Sequence, residues 1–268
     1  MSSDLYNNTN YSNGINYYSG YIVEYDLSKA NINALLSRGV IDRGLYDTLY
    51  NSDKHYREVY IGNMISKNKN IYKEIQAGII DAKRQFMEAN NIEDHEILSI
   101  RNDAMFILSD RHMEQSFGNY YFAKKNVFTF FFKFYPNKEW YYRFDQQTQK
   151  DIIEIKGIKD HILTIHQNYF LRFLADVSYS LQRSTIEDTL ELCNQFYEDY
   201  LHRKLEPEYY REFNTDSKFR VTFKGLNKSY LMDTVTENDI NNLDINFNLK
   251  ILRDLITVVN QIYFSQRR

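Results

Sequence analysis

Ile97-Leu98-Ser99-Ile100-Arg101-Asn102-Asp103-Ala104-Met105-Phe106-Ile107-Leu108 is two short apolar runs divided by a turn-forming pair. Asn-Asp tolerates the positive φ of a tight two-residue turn, and Ile, Phe and Leu dominate the flanks, so the stretch predicts a β-hairpin with Asp103 at its tip. Upstream, Tyr21-Ile22-Val23-Glu24-Tyr25-Asp26 alternates as a strand, and Leu27-Ser28-Lys29-Ala30-Asn31-Ile32 turns out of it into a helix. Whether Asp26 and Asp103 meet in space decides what chemistry the chain can do.

Working outward, Ser28 is placed to cap the first helix, whose apolar positions Ile32, Leu35 and Leu36 precede a stop at Gly39. Residues 42–66 read as a small helical insertion. A longer helix follows, with Ile71, Ile75, Ile79, Ala82, Phe86 and Ala89 on one face and Lys73, Glu74, Asp81, Lys83 and Arg84 on others. Beyond the opening hairpin the chain becomes densely aromatic. Val127 to Tyr135 and Glu139 to Phe144 flank Pro136-Asn137-Lys138 as a second hairpin, and Asp151 to Lys156 forms a further strand. From Ile158 the period turns helical, with Ile162, Ile165, Tyr169, Phe173, Val177 and Leu181 on one face. Ser184 and Glu187 make a capping box for the next helix, which carries Cys193. Phe219 to Lys224 reads as a short strand, and an amphipathic helix through Phe247, Ile251, Leu255, Val259 and Ile262 closes the chain. Residues 1–19, rich in Asn, Ser and Tyr without an apolar period, read as a flexible arm. The expectation is an α+β fold: the arm, a mixed region over 20–160, and a mainly helical region over 161–268.

At 268 residues the chain is long enough for a large core, and 43% hydrophobic with 26% charged residues is a globular composition. A net charge of −3 gives no overall attraction to nucleic acid or an anionic membrane, so any polyanion site must be a local patch. The single cysteine excludes an intrachain disulfide and a cysteine zinc cage, and agrees with a cytoplasmic setting. No apolar run reaches the roughly 18 residues of a membrane span, and the N-terminus lacks a signal-peptide layout, so no membrane partner is expected.

Nucleotidyl transfer needs very few carboxylates, because Mg²⁺ keeps several waters and takes substrate phosphate oxygens as ligands. A strand ending on an acid beside a hairpin tipped by an acid supplies two. Asp26-Leu27-Ser28-Lys29-Ala30-Asn31-Ile32 resembles the first catalytic motif of family A and family B DNA polymerases. Asp103-Ala104-Met105-Phe106-Ile107, after Ile100-Arg101-Asn102, is similar to their second carboxylate motif. Ile155-Lys156-Gly157-Ile158 follows in the order of the Lys-Gly-Ile stretch that family B palms carry. The resemblance covers about residues 20–160. It implies a palm-like antiparallel sheet with helices on one side and catalytic, Mg²⁺-binding roles for Asp26 and Asp103. It also implies nucleotide or nucleic-acid contacts from Ser28, Lys29, Asn31, Arg57, Lys124, Lys125 and Lys156.

There are departures from the family pattern. Arg101 stands where family B carries a further acid, Asn31 replaces the residue that screens the sugar, and the finger-helix lysine with its Tyr-Gly pair is absent. These departures define the alternatives. One is an active DNA polymerase-like nucleotidyltransferase. Another is a degenerate, phage-like derivative that binds nucleic acid. The third is a non-catalytic protein-binding or structural accessory protein that uses an aromatic surface, drawn from a chain with 24 tyrosines and 18 phenylalanines, to meet a protein partner. Other constellations add little. His161 and His166 lie five apart, off the i, i+4 zinc spacing, and neither a phosphate-binding Gly-Lys loop nor a nucleophile elbow occurs.

Overall fold

The computed structural model describes residues 10–135, 138–158, 160–213, 220–226, 228–232 and 234–266. The fold is α+β, built on an antiparallel sheet and ending in a long helix. Two compact units divide the chain: Met1–Ile15 with Gly20–Val127, and Asn16–Ser19 with Phe128–Arg268. The division falls inside a strand, where the sequence pattern set it near residue 160.

The first unit contains β1 (Asn10–Ser12), most of β2 (Tyr17–Leu27), α1 (Ala30–Ser37), α2 (Arg43–Asn51), α3 (Lys54–Lys67) and α4 (Asn70–Ala89). It also contains β3 (Ile97–Arg101), β4 (Ala104–Ile107), β5 (Ser116–Phe117) and the start of β6 (Tyr120–Tyr135). Its strand order is β1-β3-β4-β2-β6, with β5 paired to β6. The opening stretch is the hairpin its turn chemistry dictates. Arg101 pairs with Ala104, and Asn102 takes the left-handed region at φ 53. Val23, Tyr25 and Leu27 alternate onto the helical side, where Tyr25 meets Phe86 at 5.1 Å and Phe86 stacks on Phe122 at 4.4 Å. The insertion helices α2 and α3 start on Asp42 and Asp53, whose carboxylates accept from the Leu45 and Tyr56 amides. Gly78 lets α4 approach α1: a Cβ there would lie 2.6 Å from that of Ala34.

Two local expectations change. Lys29, at φ 50, is the N-cap residue of α1, and Ser28 does not cap: its amide donates to Tyr121 O and its carbonyl accepts from Asn33 Nδ2. Part of the expected flexible arm is strand. Asn10, Tyr11 and Ser12 pair with Arg101, Ile100 and Ser99, and Tyr17–Ser19 already belong to β2. An edge strand of three residues is too short to display a period, so only its hydrogen-bonding partner reveals it. Residues 1–9 lie outside the described residues.

The second unit holds the rest of β6, then β7 (Lys138–Asp145), β8 (Lys150–Lys156), α5 (Asp160–His166), α6 (Phe170–Arg183) and α7 (Ile186–Leu201). They are followed by β9 (Arg220–Thr222), β10 (Ser229–Leu231), α8 (Glu237–Ile240) and α9 (Asn246–Gln266). β6, β7 and β8 pair antiparallel in sequence order. Phe130, Phe132, Phe134, Trp140 and Tyr142 form one core with Phe173, Leu174 and Val177 of α6, Tyr200 of α7 and Leu252, Leu255 and Val259 of α9. The turn residues Pro136 and Asn137, and Phe219 of the expected strand, lie outside the described residues.

The helical face that the sequence carries from Ile158 to Leu181 is interrupted between His166 and Phe170. The capping box of α7 is Thr185 with Asp188, one residue beyond the expected pair. Cys193 packs in the core, and burial pushes its thiol up to about 12, as for an inert structural cysteine.

His166 offers a pH handle on this unit. It is buried edge-on against Phe213 at 4.9 Å, and burial, with Arg211 nearby, pulls its pKa down to about 4. The folded ring is neutral where the unfolded one takes a proton. Its contribution is therefore fully present above the unfolded value near 6.5 and is lost as pH falls toward 4. The span corresponds to about 3 kcal/mol. Urea unfolding of the wild type should lose that much more stability between pH 7 and pH 4 than His166→Gln does. Parallel pH profiles for the two proteins would refute it.

Candidate active site

β2 delivers Asp26 and the β3–β4 hairpin delivers Asp103. Asp26 lies opposite Ala104 in the β2–β4 ladder, and the next amide, Leu27 N–H, donates to the Asp103 carbonyl at 3.0 Å. Asp26 and Asp103 therefore border one cleft of about 270 Å³, with the turn into α1 along one wall and Lys54, Arg57 and Glu58 of α3 along another. Strand alternation puts Glu24 on the same face of β2 as Asp26. Glu24 is wholly buried and accepts from Asn126 Nδ2 at 2.6 Å.

Cations attend these acids. Lys125 Nζ lies 3.9 Å from both Glu24 Oε1 and Asp26 Oδ2, and it is half exposed, so the contact is loose. Lys83 is a buried lysine on α4 whose Nζ donates to the Asn102 carbonyl at 2.9 Å. Burial pulls its ammonium down to about 8, with the Asp103 carboxylate opposing the drop.

Of the residues expected to act, Asp26, Ser28, Lys29, Asn31, Arg57 and Asp103 border this single cleft, and Lys125 sits beside Asp26. Several are tied to the protein itself. Lys29 Nζ donates to the Tyr50 carbonyl at 2.8 Å and lies 3.2 Å from the Tyr50 ring centroid, and Arg57 Nη1 donates to the Ser52 carbonyl. Lys124 is directed to Tyr21, with Nζ 3.4 Å from its hydroxyl. Lys156 belongs to the second unit, on β8, where it pairs with Glu154 at 2.7 Å.

Glu24, Lys54 and Lys83 were not legible as site residues, although two of them leave a signal. Glu24 stands two residues before Asp26 in a strand, and Lys83, which the pattern placed off the apolar face, lies four residues after Ile79 and three before Phe86 and is buried with them. A carboxylate near a strand end and one in the neighbouring hairpin turn suit a hard divalent cation that keeps waters or phosphate oxygens for its other ligands. No group of three or more His, Cys, Asp or Glu is placed to hold a metal among the described residues. No helix among them is long and apolar enough to cross a membrane.

A family model described as the Bacteriophage PBS1 gene 130 protein matches residues 1–261, and the chain belongs to this phage protein family. No curated protein matches it.

Proposed function

We propose that this phage-family chain binds a nucleoside triphosphate with a divalent cation in the cleft between Asp26 and Asp103 and performs nucleotidyl transfer, as its resemblance to polymerase palms implies. The observation that carries this reading is the convergence of the two acids and of Arg57 and Lys54 on one cleft. Asp26 and Asp103 would hold Mg²⁺, which when bound neutralises charge on the phosphates and on the attacking and leaving oxygens.

The chain's own residues do the rest. Arg57 and Lys54 supply positive charge from α3 for the phosphate tail, and Asn31 and Ser28 offer polar atoms at the start of α1. Lys125, loosely held, is free to turn from Asp26 toward a phosphate when a metal takes over that carboxylate. Lys125 would face a nucleic-acid strand as partner, whereas Lys124 is held at Tyr21, on the opposite face of β2 from Asp26.

Calorimetric titration of Mn²⁺ into the full chain, with and without a mixture of nucleoside triphosphates, tests this. Nucleotide should tighten Mn²⁺ binding by at least about tenfold, or about 1.4 kcal/mol, because phosphates complete a shell that two carboxylates leave to water. Equal binding in both titrations, or none, would leave the degenerate or accessory alternatives and overturn the catalytic one.

A further inference from the structure

The core-facing side of α4 carries Ile75, Ile79, Ala82, Phe86 and Met87, all buried, and Lys83 among them at 3% exposure. Taking an ammonium out of water is costly, and an apolar side chain of similar length would fill the same space without that cost. What the lysine reaches is specific. Its Nζ donates to the carbonyl of Asn102, the left-handed residue that turns β3 into β4. The following residue, Asp103, gives its own carbonyl to the Leu27 amide of β2. The hairpin tip is thus held at two successive carbonyls, from the helix beneath and from the strand beside it.

We propose that Lys83 is a positioning residue: its grip on the Asn102 carbonyl keeps the tip oriented so that Asp103 borders the same cleft as Asp26. The proposal rests on reading that cleft as a metal–nucleotide site. Without the clamp, the two-residue turn keeps its sequence preference but loses its anchor to α4. The tip then samples orientations in which Asp103 leaves Asp26. Metal binding suffers before the fold does, because the rest of α4 is still packed through Ile79 and Phe86.

Lys83→Met and Lys83→Leu, made in parallel in the full chain so that one folded variant suffices, test the clamp. Amide exchange without metal reads it directly. The Leu27 N–H should exchange at least about tenfold faster, while amides in the middle of α4 keep their protection. Mn²⁺ affinity in the presence of nucleoside triphosphate should fall about tenfold, with affinity for the triphosphate alone unchanged, a split that general loss of stability would not produce. Unchanged Leu27 exchange in a folded Lys83 variant overturns the proposal. Because exchange is read without metal, a wild type that fails to couple Mn²⁺ to nucleotide would overturn the reading of the cleft, whereas faster Leu27 exchange would still support the clamp.

Discussion

Asp103→Asn should abolish the tightening of Mn²⁺ binding by nucleotide, weakening metal affinity in the presence of triphosphate by at least about 100-fold, or about 2.7 kcal/mol. The substitution isolates the charge. Asparagine has the same shape and the same tolerance of turns, and the contact from Leu27 N–H goes to the main-chain carbonyl, which the variant keeps. What changes is one of the two carboxylates proposed to hold the cation, and a neutral amide oxygen is a far weaker ligand for a hard ion that is asked to bring phosphates with it. The buried Lys83 ammonium also loses the carboxylate that supports its charged form. A thermal melt by circular dichroism, beside the calorimetry, separates the two effects. Full coupling in a folded Asp103→Asn protein would remove Asp103 from the site. Asp26→Asn should give the same loss, because the proposed ligand pair acts as a unit.

Trp140→Ala should cost the second unit about 3–5 kcal/mol, the range for truncating a large aromatic in a packed core. Trp140 is wholly buried in β7, opposite Phe132 of β6 and Ile155 of β8. Its ring lies 5.8 Å from Phe132 and meets Phe134 edge-on at 6.4 Å. Its indole N–H donates to Ser178 Oγ at 2.9 Å, and that hydroxyl in turn donates to the Leu174 carbonyl, which ties the sheet to α6. Truncation leaves a cavity among rings that cannot collapse into it, and it removes the donor to Ser178. Trp140→Phe keeps most of the ring contact and should cost about 1–2 kcal/mol through the lost hydrogen bond and reduced area. Trp140 is the only tryptophan, so urea unfolding must be followed by far-ultraviolet circular dichroism. A loss below about 1 kcal/mol for Trp140→Ala would show that β7 and α6 are held together elsewhere.

The sequence alone determined the elements whose causes are local. Asn102-Asp103 between two apolar runs is sufficient to make the hairpin, because the turn's backbone preference and the pairing of its flanks need no distant partner. The strand through Asp26 that turns into α1, the stripe of α4 and the densely aromatic strands β6 and β7 follow from periods of two and 3.6 in the same way. The strand, turn and helix around Asp26 and the hairpin around Asp103 were legible for that reason, and Ser28, Lys29 and Asn31 line the cleft because chain connectivity fixes them to Asp26.

The tertiary structure decided what depends on through-space partners. Whether Asn10–Ser12 is arm or strand depends on an open edge at β3, some ninety residues away in the chain. Lys29 looked like a cation for phosphate, yet it is committed to Tyr50 because α2 folds back over it. Lys156 followed the two aspartates in motif order; it belongs to the second unit, where it is paired with Glu154 on β8. Lys83 is the clearest case. The sequence pattern put it off the apolar face of α4; only the packing of α4 beneath the hairpin buries it and brings its charge to the carbonyl at the tip. A period reports which face of an element is buried; the register between elements decides what that face touches.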